Sequence, residues 1–266
     1  MAETLAPRPA ATVLTLRDAP DGYEILMVRR NVRSEFMGGV FVFPGGALDD
    51  DDHAAPVFGL DDERASRRLG LTGGGLGYYV AGLRELFEEA GLLVVCDDEG
   101  RGVLYDDAAE RGRLDAYRAA LNANETTLSE FLGAERVRLD LRRIEYLAHW
   151  ITPVGPPRRY DTRFFVVEAP EGQRASHDRS ETTDSRWLRP DDALLAHERG
   201  EIEMVMPTIR NLQAIARHSS AQEVLAFATS LDDIETVHPH ATRRNGEVVI
   251  LLPGDDGYDD TSSENP

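Results

Sequence analysis

Residues 78–90 constrain this chain more than any other segment, because they predict a helix with one apolar and one acidic face. Apolar side chains recur there at helical spacing, and Gly91 supplies a natural stop after the last turn. The apolar residues are Val80, Leu83, Leu86 and Phe87. We expect this stripe to face the core, which leaves the opposite face of the helix for polar contacts.

The acidic face carries Glu85, Glu88 and Glu89, at positions i, i+3 and i+4 of the predicted helix. Like charges at these spacings repel one another and destabilise the helix. A divalent cation such as Mg²⁺ or Mn²⁺ would remove that repulsion, because it takes oxygen ligands from a few carboxylates and from substrate phosphates. Arg84 is placed to pair with one of the acids and fix its rotamer. The alternative interpretation is a solvated acidic surface, which is the better one for an isolated Glu-x-x-Glu-Glu pattern.

The whole run Arg-Glu-Leu-Phe-Glu-Glu-Ala-Gly-Leu at 84–92 is more specific, and it resembles the second half of the Nudix hydrolase box. Every fixed position of that half is present. Phe-Pro-Gly-Gly at 43–46 resembles the loop that opens the box, and Asp52 stands where the family usually has Glu. An insertion at about 53–76 splits the box between Asp52 and Arg84. The acid at 52 is therefore kept but shortened, and its role is left open.

The resemblance implies an α/β fold, a Nudix-type α/β/α sandwich around a mixed β-sheet with helical insertions. Alternating strand and helix patterns along the chain fit this class. We expect a mobile N-terminus at 1–10, a single Nudix domain at 11–252 with insertions at about 53–76 and 97–143, and an acidic mobile tail at 253–266. Strands are predicted at 11–16, 23–30, 40–43, 92–95, 144–151, 160–167, 185–188 and 248–252, and helices at 106–134, from Pro190, at 206–216 and at 221–231.

The resemblance also implies roles for the site residues. A backbone carbonyl of the glycine loop and the helix carboxylates would hold one or more divalent cations, Mg²⁺ or Mn²⁺, against a substrate diphosphate. Water would be the nucleophile, and one carboxylate would accept its proton. The implied metal ligands are Gly45, Glu85, Glu88, Glu89 and Glu181, and the implied catalytic residues are Arg84, Glu88, Glu89 and Glu181.

Glu181 enters this set because it stands six residues before Trp187, a spacing found in several Nudix enzymes. The alternative is a loop carboxylate beside Asp178 and Asp184. Which of Glu88, Glu89 and Glu181 is the general base stays open.

Residues 149–153 and 158–165, with the split box, resemble one branch of the family, the acyl-coenzyme A diphosphatases related to the mammalian peroxisomal enzyme. The predicted substrate contacts are Arg30, Arg158 and Arg159 on phosphate and Trp150 on adenine, although core and hairpin packing is the alternative for these residues. The preferred substrate is coenzyme A or an acyl-coenzyme A. Nucleotide sugars, NADH and dinucleoside polyphosphates are alternatives, and so is a non-catalytic nucleotide-sensing Nudix module. Such sensors usually lose acids of the box, whereas all three acids remain here.

Composition limits the partners. The net charge is −19, which opposes nucleic-acid binding and requires local arginines and cations to hold any anionic substrate. All 29 basic residues are arginine, so lysine Schiff-base chemistry and a P-loop are excluded.

The single Cys96 cannot form an internal disulfide, and no segment resembles a membrane span or a signal peptide. We expect a cytoplasmic protein, with a homodimer as an option because many Nudix proteins are homodimers.

Overall fold

The computed structural model of the protein describes residues 5–31, 38–177, 182–244 and 247–259. The strands are β1 (Arg8–Ala19), β2 (Gly22–Arg30), β3 (Phe41–Val42), β4 (Gly45–Ala47), β5 (Val57–Phe58), β6 (Val95–Cys96), β7 (Arg138–Asp140), β8 (Ile144–Ile151), β9 (Tyr160–Glu168), β10 (Thr182–Leu188), β11 (Thr236–Val237), β12 (His240–Arg244) and β13 (Glu247–Leu251). The helices are α1 (Asp62–Arg68), α2 (Gly75–Ala90), α3 (Ala108–Asn122), α4 (Leu128–Glu135), α5 (Pro190–Glu198), α6 (Met206–Ile215) and α7 (Ala221–Thr229).

A mixed central sheet forms the middle layer, with strand order β10-β2-β1-β9-β8-β11. Strand β1 pairs antiparallel with β2 and β4 and parallel with β9. Its side chains alternate between two cores: Ala11 and Val13 pack in the core that contains α2, whereas Leu14 and Leu16 pack in the core that contains residues of α5, α6 and α7. Helices therefore cover both faces of a mixed sheet, and the predicted α/β/α sandwich is confirmed.

Most predicted strands are present, but their ends differ. The predicted strands at 144–151 and 160–167 correspond to β8 and β9. Strand β1 begins at Arg8, three residues before the predicted boundary at 11, because Arg8 pairs with Tyr160 of β9 and its N–H donates to the carbonyl of Arg159 at 2.9 Å. Beyond the boundary predicted at 252, Tyr258 stacks on His240 with ring centroids 4.2 Å apart. The ordered chain thus includes contacts outside 11–252, whereas the domain bounds and the mobility of the two ends stay predictions.

Helix α2 lies on one face of the central sheet and is buried along nearly its whole length. Its apolar stripe packs as predicted, and Phe87 stacks on Phe131 of α4 with ring centroids 5.2 Å apart. The helix begins at Gly75, earlier than predicted, because side chains of α1 accept hydrogen bonds from its first N–H groups. It ends at Gly91, whose φ of 70° is the left-handed conformation that glycine adopts without strain.

Both inserted segments join in a small second sheet of order β5-β7-β6. Val57 of the first segment and Val95 both pair with Leu139 of the second. The strand predicted at 92–95 is therefore wrong in extent, because β6 covers only Val95–Cys96. The N–H and the carbonyl of Leu93 bond to the side chain of Gln173 at 2.8 and 2.9 Å, so pairing begins only at Val95.

The second inserted segment is helical, as predicted, and forms α3 and α4. Asp107 and Thr127 cap these two helices by accepting the N–H groups of Glu110 and Glu130. None of the helices in the described ranges has the length and the hydropathy needed to cross a bilayer.

Candidate active site

Arg84 is the centre of the acidic cluster on α2. Its Nε and Nη2 donate to the two carboxylate oxygens of Asp52 at 2.8 and 3.1 Å. Its Nη1 donates to Glu85 at 2.9 Å and to Glu88 at 3.0 Å, and its Nη2 also donates to the carbonyl of Ala47 at 2.8 Å. The predicted pairing of Arg84 with one acid is thus confirmed, and its hydrogen bonds extend to three acids from both halves of the split box.

Burial and charge act against each other in this cluster. Asp52 is 1% exposed; burial raises the pKa of its carboxyl, and the hydrogen bond and charge of Arg84 oppose that rise. Burial lowers the pKa of Arg84, but its hydrogen bond to Asp52 and the surrounding carboxylates outweigh this and raise the pKa of Arg84 overall. Burial also raises the pKa of Glu88 against the pull of Arg84. Glu88 therefore holds a proton more readily than a solvated glutamate does.

Two glycines bring the backbone of β4 against these acids. A Cβ on Gly46 would lie 2.3 Å from Oε1 of Glu85, so any larger residue would have to displace that carboxylate. The N–H of Gly45 donates to Oε2 of Glu89 at 3.2 Å. Gly45 and Gly46 are predicted as a loop, but the structure places them, with Ala47, in a strand that pairs with β1. Glycine permits this close pairing, because a Cβ at Gly45 would lie 2.6 Å from the carbonyl of Ala11. The carbonyl of Gly45 as a metal ligand stays a prediction.

The donor set fits a hard divalent cation in its chemistry. It consists of oxygen atoms from Glu85, Glu88 and Glu89 on one helix face, and the carboxylate of Glu85 lies directly against the backbone of Gly46, which has no Cβ. Within the described parts of the chain, no three Asp, Glu, His or Cys side chains are arranged to hold a metal ion. The carboxylates instead face Arg84 and Gly45, so cation binding requires them to exchange some of these hydrogen bonds for metal contacts.

The C-terminal turn of α2 is held by partners that the sequence does not predict. Arg118 of α3 donates from its Nε to the carbonyl of Glu88 at 2.7 Å, and from its Nη1 to Oγ of Ser176 at 3.0 Å. The N–H of Ser176 donates to the carbonyl of Ala90 at 2.9 Å. No pattern in the sequence signals Arg118, because its contact depends on how α3 packs against α2.

Glu181 and its neighbour Asp178 lie outside the described residues. The chain on both sides of them contacts the end of the acidic helix, through Ser176 and through Thr182, whose hydroxyl donates to the carbonyl of Glu89 at 3.4 Å. The role of Glu181 stays a prediction.

Arg159, a predicted phosphate contact, is buried at the turn between β8 and β9. Its side chain is 7% exposed, its Nε donates to the carbonyls of Thr152 and Pro153 at 3.1 and 3.2 Å, and its Nη1 donates to the carbonyl of Leu5 at 2.9 Å. These contacts tie the β8–β9 turn to the N-terminal segment. Its guanidinium therefore bonds backbone carbonyls, whereas the neighbouring Arg158 is exposed, and a phosphate contact for Arg159 stays a prediction.

Of the other two predicted substrate contacts, Trp150 is a core residue and Arg30 stays a candidate. Trp150 is 6% exposed and packs in the core on the α5 to α7 side, so core packing is confirmed over adenine stacking. Arg30 ends β2 opposite Thr182 of β10, which places it on the strand beside the contact to Glu89. Arg30 therefore stays a candidate for substrate phosphate.

The segment 158–165 is mainly structural. Asp161 accepts a hydrogen bond at 2.6 Å from Nε2 of His149, and Arg163 contacts both of these side chains. Burial raises the pKa of Asp161, but the hydrogen bond of His149 and the charge of Arg163 outweigh it and lower this pKa overall. The cluster links β8 to β9 inside the sheet.

Known proteins resemble this chain over most of its length. A family model described as the NUDT19 Nudix domain matches residues 54–215. The chain is 26% identical to the acyl-coenzyme A diphosphatase NUDT19 of Xenopus laevis, over 89% of this chain and 71% of that protein, and 24% identical to that of Homo sapiens, over 94% and 76%. The crystal structure of a NUDIX hydrolase from Alicyclobacillus acidocaldarius superposes with a TM-score of 0.65 at 29% identity, covering 83% of this chain and 96% of that one. The chain therefore belongs to the NUDT19 Nudix family and is a Nudix hydrolase.

Proposed function

We propose that this protein hydrolyses the diphosphate linkage of coenzyme A or an acyl-coenzyme A, with Mg²⁺ or Mn²⁺ as its cofactor. The observation that carries the proposal is the contact of Arg84 with Asp52, Glu85 and Glu88, which assembles both halves of the split box beside Gly46. The NUDT19 relatives named as acyl-coenzyme A diphosphatases support the choice of substrate.

In this proposal the carboxylates of Glu85, Glu88 and Glu89 hold the cation together with the carbonyl of Gly45, and Glu181 is a further ligand. The chemistry that the cation supplies when bound is neutralisation of the diphosphate charge and easier loss of a proton from the attacking water. Arg84 keeps Glu85 and Glu88 in position through its hydrogen bonds.

Water is the nucleophile in this proposal, so no covalent intermediate on the protein is needed. Glu88 is one candidate for the general base, because its carboxylate lies on the acidic face of α2 and burial raises its pKa in the cation-free protein. Glu89 and Glu181 are the alternatives.

Binding a diphosphate also requires local positive charge, because the protein carries a net charge of −19. Arg30 and the exposed Arg158 are the proposed phosphate contacts. The same electrostatics disfavours nucleic acid as a partner.

Identification of the products by mass tests the proposal. The purified protein is incubated with Mg²⁺ or Mn²⁺ and coenzyme A, several acyl-coenzyme A thioesters, a nucleotide sugar, NADH, a dinucleoside polyphosphate and a nucleoside triphosphate. We expect adenosine 3′,5′-bisphosphate with phosphopantetheine or its acyl derivative. Intact coenzyme A beside a cleaved nucleotide sugar, NADH or dinucleoside polyphosphate would move the activity to that substrate, and binding without cleavage of any of them would indicate a sensor.

A cytoplasmic location and a homodimer complete the proposal. Cys96 is fully buried, and burial raises the pKa of its thiol, which agrees with a reduced structural cysteine. Cell fractionation tests the location, and light scattering of the purified protein tests the dimer; membrane-bound protein or a monomer would contradict these two points.

A further inference from the structure

We infer that Arg118, on α3 of the second inserted segment, is a positioning residue that sets the C-terminal turn of the acidic helix for cation binding. That turn carries Glu88 and Glu89. The inference rests on the proposed function for its kinetic readout, but its cation-binding readout does not need a substrate.

The contacts of Arg118 meet at one point of the fold. Its guanidinium donates to the carbonyl of Glu88 at 2.7 Å and to the hydroxyl of Ser176 at 3.0 Å, while the N–H of Ser176 donates to the carbonyl of Ala90 at 2.9 Å. Arg118 is 6% exposed. One buried side chain thus joins α3, the last turn of α2 and the segment before residue 178.

The chemistry of a helix end explains why a charged donor is used there. The last carbonyls of a helix have no partners within the helix and carry partial negative charge, which a cation stabilises. A guanidinium presents several donors in a fixed plane, so it bonds a carbonyl and a hydroxyl in one set geometry, which a flexible ammonium does not impose. Because the backbone of Glu88 is fixed in this way, its carboxylate and that of Glu89 keep their direction relative to Gly45.

The opposite end of α2 provides a matched control. Asp62 of α1 accepts the N–H groups of Gly74 and Leu76 at 3.0 and 2.9 Å, and these bonds lower the pKa of Asp62. The first turn of α2 carries no acidic residue. Removing either end contact should weaken the helix, but only the loss of Arg118 should disturb the carboxylates.

The test compares Arg118→Ala, Arg118→Lys and Asp62→Ala with wild-type protein. Mn²⁺ binding is titrated by electron paramagnetic resonance without substrate, with Glu88→Gln as the reference for cations bound elsewhere on the acidic surface. Thermal unfolding is measured with EDTA, and hydrolysis of acyl-coenzyme A is measured over a range of Mg²⁺ concentrations. Residues that orient metal ligands typically contribute about 10- to 100-fold to metal affinity or activity.

We expect Arg118→Ala to weaken specific Mn²⁺ binding and to raise the Mg²⁺ concentration for half-maximal rate by that factor, with partial recovery in Arg118→Lys. Asp62→Ala should lower the melting temperature and leave both cation readouts unchanged.

Wild-type Mn²⁺ affinity in Arg118→Ala, or equal weakening of Mn²⁺ binding in Asp62→Ala, would overturn the inference. If Arg118→Ala does not fold, wild-type cation binding in Arg118→Lys overturns it. If wild-type protein binds Mn²⁺ through Glu88 but cleaves no substrate, the proposed function fails while the Mn²⁺ comparison still decides the role of Arg118.

Discussion

Arg84 donates to both carboxylate oxygens of Asp52, at 2.8 and 3.1 Å, although an inserted segment separates the two residues in the sequence. This ion pair rejoins in space what the insertion divides in the Nudix box. Asp52, whose role the sequence leaves open, orients the arginine that holds Glu85 and Glu88. The shorter acid suffices here because Asp52 lies in the 3-10 turn at 50–53, directly against the guanidinium.

Asp52→Asn should destabilise the fold, because it removes one charge of a buried pair and leaves the guanidinium with an uncharged amide. Breaking a buried ion pair in this way costs about 3 kcal/mol. Urea unfolding measures the loss, and Asp50→Asn is the control, since its side chain is exposed and such a change alters stability by less than about 0.5 kcal/mol. Equal stability of the two variants would contradict a structural role for the pair.

Gly46→Ala should inactivate the enzyme without unfolding it. The new Cβ would lie 2.3 Å from Oε1 of Glu85 and would push that carboxylate aside. A displacement of about 1 Å at a catalytic site can reduce the rate about 100-fold. Gly112→Ala in α3 is the control, because nothing lies within 4 Å of its Cβ position; it should keep full activity and gain about 0.5–1 kcal/mol of stability. Full activity in Gly46→Ala would show that Glu85 is not held there.

The stability of the cation-free protein should depend on pH through Glu88. Burial raises the folded-state pKa of Glu88 above its unfolded value, so the stability that protonated Glu88 contributes is present below the unfolded pKa and is lost as pH rises through the folded pKa. Urea unfolding in EDTA should therefore give free energies of unfolding for wild type and Glu88→Gln that differ little at acidic pH. The difference should grow in favour of Glu88→Gln as pH rises through this range. A difference that is constant with pH, or that grows in favour of wild type, would contradict a raised pKa.

Removal of Arg159 should lower stability, whereas removal of Arg158 should weaken substrate binding. Arg159→Ala should lower the free energy of unfolding by about 2 kcal/mol, because it removes the hydrogen bonds of a buried guanidinium to the backbone carbonyls of the turn and of Leu5. Arg158→Ala should leave stability unchanged and raise KM for a diphosphate substrate. Urea unfolding and steady-state kinetics of both variants separate these roles, and a reversal of the two effects would return Arg159 to the substrate site.

The acidic helix and its core face follow from the sequence, because they depend on spacing within one segment. The partners that hold this helix do not, because they come from distant segments. Arg118 and Asp62 reach its two ends only after the inserted segments have packed, and a polar sequence such as that of α1 gives no apolar stripe to reveal the helix.

The glycine strand is missed for a related reason. Gly45, Gly46 and Ala47 have no strand pattern of their own, and only pairing with β1 makes them extended. For the basic pair at 158 and 159, the composition of the segment predicts a phosphate site but does not reveal which arginine is buried. In the structure Arg159 is buried and bonds the backbone of the turn.

The central claim is that the carboxylates around Arg84 carry out cation-dependent hydrolysis, and the rate of Glu88→Gln tests it most directly. Hydrolysis of acyl-coenzyme A is measured with Mg²⁺ and with EDTA for wild type, Glu88→Gln and the control Glu99→Gln, whose side chain is 67% exposed. We predict Mg²⁺-dependent turnover in wild type and in Glu99→Gln, and a loss of about 100-fold or more in Glu88→Gln. Turnover in Glu88→Gln at the wild-type rate, or turnover that EDTA does not stop, would contradict the account.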